Sequence, residues 1–319
     1  MIIDDLLNEA KSVAIFGHVR PDGDCVGSTT GIYNYIKDNY PGVRADLFLE
    51  NFPESYKILR GTSDIKPSFT AECNEGNPYD LAFLMDTPSF DRIGANGAEC
   101  IKAAKKTINI DHHISNPHNL CTVNFVEPEA SSASELLYTQ LSKERVGKET
   151  ANSLYLGIVH DTGAFKFSCT GKRTMLVVGD LIEAGVDFAK IINETYYTRT
   201  YKQTLITGLA MQKCKLALDG KVVYSIVTPE EMAQLGVTSL ELSTTIDTIR
   251  EVGGTEVAFL LYPVNGKYKI SLRSNYIVDV NAIAKNFGGG GHTRAAGGDS
   301  NDAPEATIEK ILSLIQEQL

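Results

Sequence analysis

A chain of 319 residues exceeds what one core ordinarily supports, so two domains are expected. Its 43% hydrophobic and 22% charged residues exclude a disordered chain, and no apolar run approaches the roughly 18 residues of a membrane-spanning helix. A net charge of −10 excludes coating of long nucleic acid through a basic stripe, but not a short anionic substrate held by metal ions, whose charge replaces Lys and Arg locally.

The opening Met1-Ile2-Ile3-Asp4-Asp5 lacks the basic start of a signal peptide. Six cysteines (Cys25, Cys73, Cys100, Cys121, Cys169, Cys214) show neither CxxC spacing nor a paired framework, and read as reduced, mostly buried thiols. These features predict a cytoplasmic protein with no membrane partner.

In chain order, short apolar runs at Val13 to Phe16, Arg44 to Glu50, Leu81 to Met85, Thr107 to Ile110 and Cys121 to Val126 predict five strands. Helical spacing lies between several of them, notably at Ser28 to Asn39 and Gly97 to Lys105. Such alternation predicts an α/β fold whose N-terminal domain is doubly wound around a mainly parallel, five-stranded sheet. Helices follow at Ser134 to Leu141, Thr150 to His160 and Met175 to Ala184, and Asn193 to Gln212 could form one long connector. Tyr196, Tyr197 and Tyr201 then read as helix surface and interdomain packing.

Beyond it, hairpins are expected over Leu216 to Val227, turning at Asp219-Gly220, and over Val257 to Leu272, turning at Asn265-Gly266. Helices are expected at Pro229 to Leu235, Ser239 to Val252, Val280 to Asn286 and Pro304 to Leu319. The predicted organisation is a catalytic domain over 1–195, a helical connector over 196–213 and a smaller α+β substrate-binding domain over 214–319.

Three of the strands run directly into residues of metal-binding type: His18 after the first, Asp86 after the third, Asp111-His112-His113 after the fourth. In open parallel sheets ligands sit beyond the carboxyl ends of the strands. Asp22 and Asp24, separated by Gly23, can point to different ions from one loop, and Gly27-Ser28 opens a helix whose amide end attracts anions. Taken singly, Asp22 and Asp24 read as loop and capping residues, His18 as a core imidazole and Asp86 as a turn initiator before Pro88. Their recurrence at equivalent strand ends favours a site. Asp86 suits a bridging carboxylate, since two neighbouring cations need a shared anionic ligand. Asp161 ends a helical run, and His160 beside it reads as structural or supporting.

His18-x3-Asp22-x-Asp24, Asp86, Asp111-His112-His113 and Asp161 resemble, in order, the four motifs of the DHH phosphoesterase family. Gly288-Gly289-Gly290-Gly291-His292-Thr293-Arg294-Ala295-Ala296-Gly297 resembles the glycine-rich signature of the DHH-associated C-terminal domain. The resemblance covers essentially the whole chain, and its length looks most like that of the stand-alone bacterial nanoRNA phosphodiesterases, with Cys25 where Ala is more usual.

The resemblance implies two divalent metal ions, manganese by preference. His18, Asp22 and Asp86 would hold one; Asp24, Asp86, His112 and Asp161 would hold the other. Asp111 would orient His112, and His113 would face the substrate phosphate. Gly288 to Gly291, His292 and Arg294 would grip the nucleotide, four glycines letting backbone N–H groups approach a phosphate closely. Arg273 and Ser274 are further candidate phosphate contacts, as are Arg92 and Ser132, each also readable as a surface or capping residue.

The implied activity is hydrolysis of short oligoribonucleotides, including linear dinucleotides, to mononucleotides, and of 3′-phosphoadenosine 5′-phosphate to AMP. A homodimer is compatible with this reading. Competing readings are a single-strand DNA exonuclease, a pyrophosphatase, or a nucleotide-binding module without turnover.

Overall fold

The computed structural model describes residues 2–70, 73–93 and 96–319, and the chain divides into two compact units, the first ending at Thr198 and the second spanning Arg199–Leu319. In the first, β1 (Ser12–Phe16), β2 (Arg44–Phe48), β3 (Leu81–Met85), β4 (Lys106–Asp111) and β5 (Val123–Val126) form a parallel sheet ordered β2-β1-β3-β4-β5. Around it lie α1 (Ile2–Glu9), α2 (Gly23–Asn39), α3 (Gly97–Ala103), α4 (Ala133–Gln140), α5 (Lys148–Asp161) and α6 (Lys172–Glu183).

Strands β1 and β3 are buried at every position, as parallel strands covered on both faces must be. Successive side chains serve opposite layers. Val13, Ile15, Phe83 and Met85 join the core of α1, α2, α4, α5 and α6, whereas Ala14, Phe16, Ala82 and Leu84 join a smaller core with Ile101 of α3. The strand order reverses between β1 and β3, which opens a crevice at their carboxyl ends. His18 lies just beyond one of these strands and Asp86 immediately beyond the other.

Helix α2 starts at Gly23 rather than at the expected Ser28, because the Asp22 carboxylate caps it by accepting from the Cys25 amide at 3.1 Å. Against α5 it packs backbone to backbone: a Cβ added at Gly27 would lie 2.6 Å from the Ser153 carbonyl and 2.7 Å from the Gly157 nitrogen. This contact brings the start of α2 to the end of α5.

The long helix expected over Asn193 to Gln212 is interrupted. After α7 (Phe188–Ile191) a π-helical turn spans Ile192–Tyr197, Thr198 is extended, and α8 (Tyr201–Gln212) starts afresh. Thr200 caps it by accepting from the Gln203 amide, while Gln203 accepts from the Thr200 amide.

In the second unit β6 (Lys215–Ala217), β7 (Val222–Ile226), β8 (Val257–Val264), β9 (Lys267–Ser274), β10 (Gly290–His292) and β11 (Ala295–Ser300) form a mixed sheet ordered β10-β11-β9-β8-β7-β6. One face is covered by α8, α9 (Pro229–Leu235) and α10 (Thr245–Ile249), the other by α11 (Val280–Lys285) and α12 (Pro304–Gln316). Both expected hairpins form, with positive φ at Asp219, Gly220, Asn265 and Gly266. The helix expected over Ser239 to Val252 is confined to α10, and α1 and the β10–β11 pair were not anticipated. Among the described residues no helix is long and apolar enough to cross a membrane.

Candidate metal centre

Two imidazoles are oriented by backbone carbonyls. His18 Nδ1 lies 2.9 Å from the Val19 oxygen, and His112 Nδ1 lies 3.3 Å from the Ala130 oxygen. A carbonyl only accepts, so each Nδ1 carries the proton and each Nε2 of the neutral ring is a bare lone pair. Those lone pairs face carboxylates. His18 Nε2 is 3.6 Å from Asp22 Oδ1 and 3.4 Å from Asp86 Oδ2. His112 Nε2 is 3.1 Å from Asp161 Oδ2, 3.6 Å from Asp86 Oδ1 and 3.8 Å from Asp24 Oδ2.

Asp86 therefore presents one oxygen to each imidazole. It is 2% exposed, its Oδ1 has no hydrogen-bond partner, and its φ of 50° is left-handed. An unpaired buried carboxylate oxygen is costly unless a cation meets it. Asp24, wholly buried, is gripped from behind: its Oδ2 accepts from the Ala133 amide at 2.6 Å and its Oδ1 from the Ser134 amide at 2.9 Å, both in the first turn of α4. Asp161 stands at the carboxyl end of α5, where the helix dipole opposes negative charge.

Burial and the neighbouring carboxylates push the pKa of Asp24 up to about 7 and that of Asp86 up to about 6. Burial first, then the charges of Asp22 and Asp86, likewise raise Asp161 to about 6 against the opposing His112 bond. Burial would lower the pKa of His18 and His112, but it is outweighed by Cys25, Asp22 and Asp86 at His18 and by Asp161, Asp86 and Asp24 at His112, so both are raised. Negative charge thus exceeds what the imidazoles offset. Three groups of ligand-type atoms, His18–Cys25–Asp86, Asp86–His112–His113 and Asp24–His112–Asp161, each gather within 4.8 Å. Mixed nitrogen and oxygen donors around an unpaired carboxylate oxygen fit divalent cations.

Asp111 corrects one expectation: it orients His113, not His112. Its Oδ1 accepts from His113 Nδ1 at 2.7 Å, while Asn116 Nδ2 donates to Asp111 Oδ2 at 2.6 Å and to Asn109 Oδ1 at 2.8 Å. Residues two apart in extended chain share a side, which is why 111 pairs with 113. Burial alone would lower the pKa of His113; Asp111 and Asp86 raise it instead.

His160 is held neutral, its pKa lowered to about 4 by burial. Its ring contacts those of Tyr56 and Tyr196 edge-on, at 5.0 and 5.5 Å between centroids, and occupies the space a Cβ at Gly23 would need. Tyr197 and Tyr201 are exposed. Neither the inward Cys25 thiol nor the α4 amides behind Asp24 was anticipated; the Ser132 cap signal marks the start of α4 but not what it faces.

Among the remaining candidates, the Ser132 hydroxyl caps α4 by accepting from the Glu135 amide. Arg92 is exposed, and its carbonyl accepts from the Val19 amide at 2.7 Å, beside His18. In the second unit the glycine run builds a turn and an edge strand. Gly288 has φ of 64°, and a Cβ at Gly289 or Gly291 would collide with the carbonyl of Gly297 or Ala295. His292 ends β10, exposed. Arg294 Nη1 donates to the Val278 carbonyl at 2.9 Å, Arg273 Nε to Asp247 Oδ1 at 2.8 Å, and Ser274 is buried.

Residues 12–158 match the DHH family, N-terminal domain, and residues 219–319 match the DHHA1 domain. The chain is 26% identical over 308 residues to the bifunctional oligoribonuclease and PAP phosphatase NrnA of Bacillus subtilis, covering 95% of this chain and 93% of that protein. It is 28% identical over 311 residues to the protein of the same name from Mycoplasma genitalium, covering 92% and 91%. A crystal structure of an exopolyphosphatase-related protein from Bacteroides fragilis shares the fold, with a TM-score of 0.89 at 24% identity over 99% of this chain and 95% of that one. With the motif carboxylates and imidazoles gathered at the carboxyl ends of the sheet, the chain carries a DHH family N-terminal domain over residues 12–158 followed by a DHHA1 domain over residues 219–319.

Proposed function

We propose that this chain is a manganese-dependent phosphoesterase that hydrolyses short oligoribonucleotides to mononucleotides and removes the 3′-phosphate of 3′-phosphoadenosine 5′-phosphate. The observation that carries the reading is Asp86: a buried carboxylate with an unpaired oxygen, facing a different imidazole on each side. The names of the two NrnA relatives support the substrate class.

His18, Asp22 and Asp86 would hold one cation, and Asp24, Asp86, His112 and Asp161 the other. When bound, the pair supplies Lewis acidity and lowers the pKa of water at the site. The chain's own residues do the rest. The Val19 and Ala130 carbonyls keep Nε2 of His18 and His112 turned inward, and the α4 amides hold Asp24 in place. His113, its protonated form favoured by Asp111, stands ready to neutralise charge on a phosphate or to give a proton to the leaving oxygen. Arg92, exposed beside His18, is suited to contact a phosphate.

The DHHA1 domain would bind the nucleotide through its exposed glycine edge strand and His292, with Arg294 and the buried Ser274 shaping that surface. We place the protein in the cytoplasm, where its six unpaired cysteines stay reduced. The deciding assay supplies manganese and compares a dinucleotide, a long single strand, 3′-phosphoadenosine 5′-phosphate and pyrophosphate. Turnover of the first and third is expected. Preference for the long strand or for pyrophosphate would overturn the substrate assignment.

A further inference from the structure

At the start of α2 a thiol is turned into the metal centre. Cys25 is wholly buried, and a Cβ added at Gly17 would meet its Sγ at 2.3 Å. The thiol donates to the His18 carbonyl at a long 3.9 Å. Sγ, a His18 ring nitrogen and an Asp86 carboxylate oxygen lie within 4.8 Å of one another. His18 Nδ1 is committed to the Val19 carbonyl, which leaves Nε2 for this group. Asp86, 2% exposed, turns Oδ2 to within 3.4 Å of that nitrogen, and its other oxygen has no hydrogen-bond partner. A sulfur, a nitrogen and an incompletely paired buried carboxylate therefore converge.

Resting on the reading of this centre as a metal site, we propose that Cys25 contributes a thiolate to the metal position of His18 and Asp86, so that this position takes a thiophilic divalent ion such as zinc or cobalt ahead of manganese. Thiolate with imidazole is a donor set that zinc and cobalt favour, whereas manganese favours oxygen. Burial keeps the free thiol protonated, its pKa pushed up to about 11, so the cation has to displace that proton. As the sulfur–metal bond forms, the S–H bond breaks and its proton passes to solvent, so uptake at this position releases a proton. The position formed by Asp24, His112 and Asp161 has no sulfur and keeps the preference of nitrogen and oxygen donors. The centre is then uneven, one position thiophilic and the other not.

The test uses the full chain, stripped of metal and titrated with cobalt. Ligand-field absorption reports bound cobalt, and near-ultraviolet thiolate-to-cobalt charge transfer reports the sulfur. The wild type is expected to show both; Cys25→Ser and Cys25→Ala keep the first and lose the second. In calorimetric titrations the zinc-to-manganese affinity ratio of Cys25→Ala falls by about 10–100-fold, the range seen when support for a metal site is removed. Bound cobalt without charge transfer in the wild type, charge transfer surviving in both variants, or an unmoved affinity ratio would overturn the thiolate while leaving the metal centre standing. Failure to bind cobalt at all would overturn both.

Discussion

Asp86 carries an energetic cost in both its backbone and its side chain. Its left-handed φ and its unpaired Oδ1 are each unfavourable without a ligand. Asp86→Ala should therefore lower turnover by at least the ~10²–10³ that one transition-state contact is worth, while the metal-free protein melts no earlier than the wild type. Activity that survives in this variant after manganese is restored would remove Asp86 from the centre. Asp111 acts one step further out. Burial would raise its pKa, but the bonds from His113 and Asn116 outweigh it and lower it, so it stays ionised against His113. In Asp111→Asn the imidazolium loses its carboxylate, the pKa of His113 falls, and the alkaline limb of the kcat profile moves to lower pH. A drop in kcat of roughly 10²–10⁴ is expected if His113 is the acid. A profile identical to wild type would exclude His113 from proton transfer.

At the scale of elements, the centre depends on how closely α2 approaches α5. Gly27→Ala places a methyl against backbone atoms that cannot rotate away. The expected loss is about 1–3 kcal/mol of unfolding free energy, measured in denaturant, with weaker manganese binding because Asp24 and Asp161 are spread apart. Unchanged stability would mean that the helices can separate freely. Strands β1 and β3 were legible because buried parallel strands read as unbroken apolar runs. The Asp24 clamp was not, since it depends on α4 aiming its first amides across more than a hundred residues of sequence. Glycines 288 to 291 were read as a phosphate cradle; the structure uses two of them first to let β10 approach β11.

For the whole molecule, proton linkage and metal linkage oppose each other. Asp24, Asp86 and Asp161 have folded-state pKa values of about 6 to 7, above their unfolded value of 3.8. At these groups the folded state holds more protons, so their contribution to the stability of the metal-free protein falls as pH rises from about 4 through 7, partly offset by His160, whose lowered pKa works the other way. His18, His112 and His113, raised above 6.5, continue that loss on the alkaline side. Metal binds the deprotonated carboxylates and stabilises in proportion to its affinity. The rise in melting temperature produced by manganese should accordingly be larger at pH 8 than at pH 5. An increment independent of pH would place the metal elsewhere.

Local order along the chain settled which residue types end which strands, because apolar runs, turn residues and motif spacing are all short-range properties. It therefore determined the α/β fold with its parallel sheet, and it picked out the His and Asp residues that the structure brings close together. Tertiary structure alone decided that Asp86 faces two imidazoles and that a cysteine sits beneath the centre. Those are distances of 3 to 5 Å between side chains on different elements, and helix crossing and strand order set them, not any pattern within a single segment.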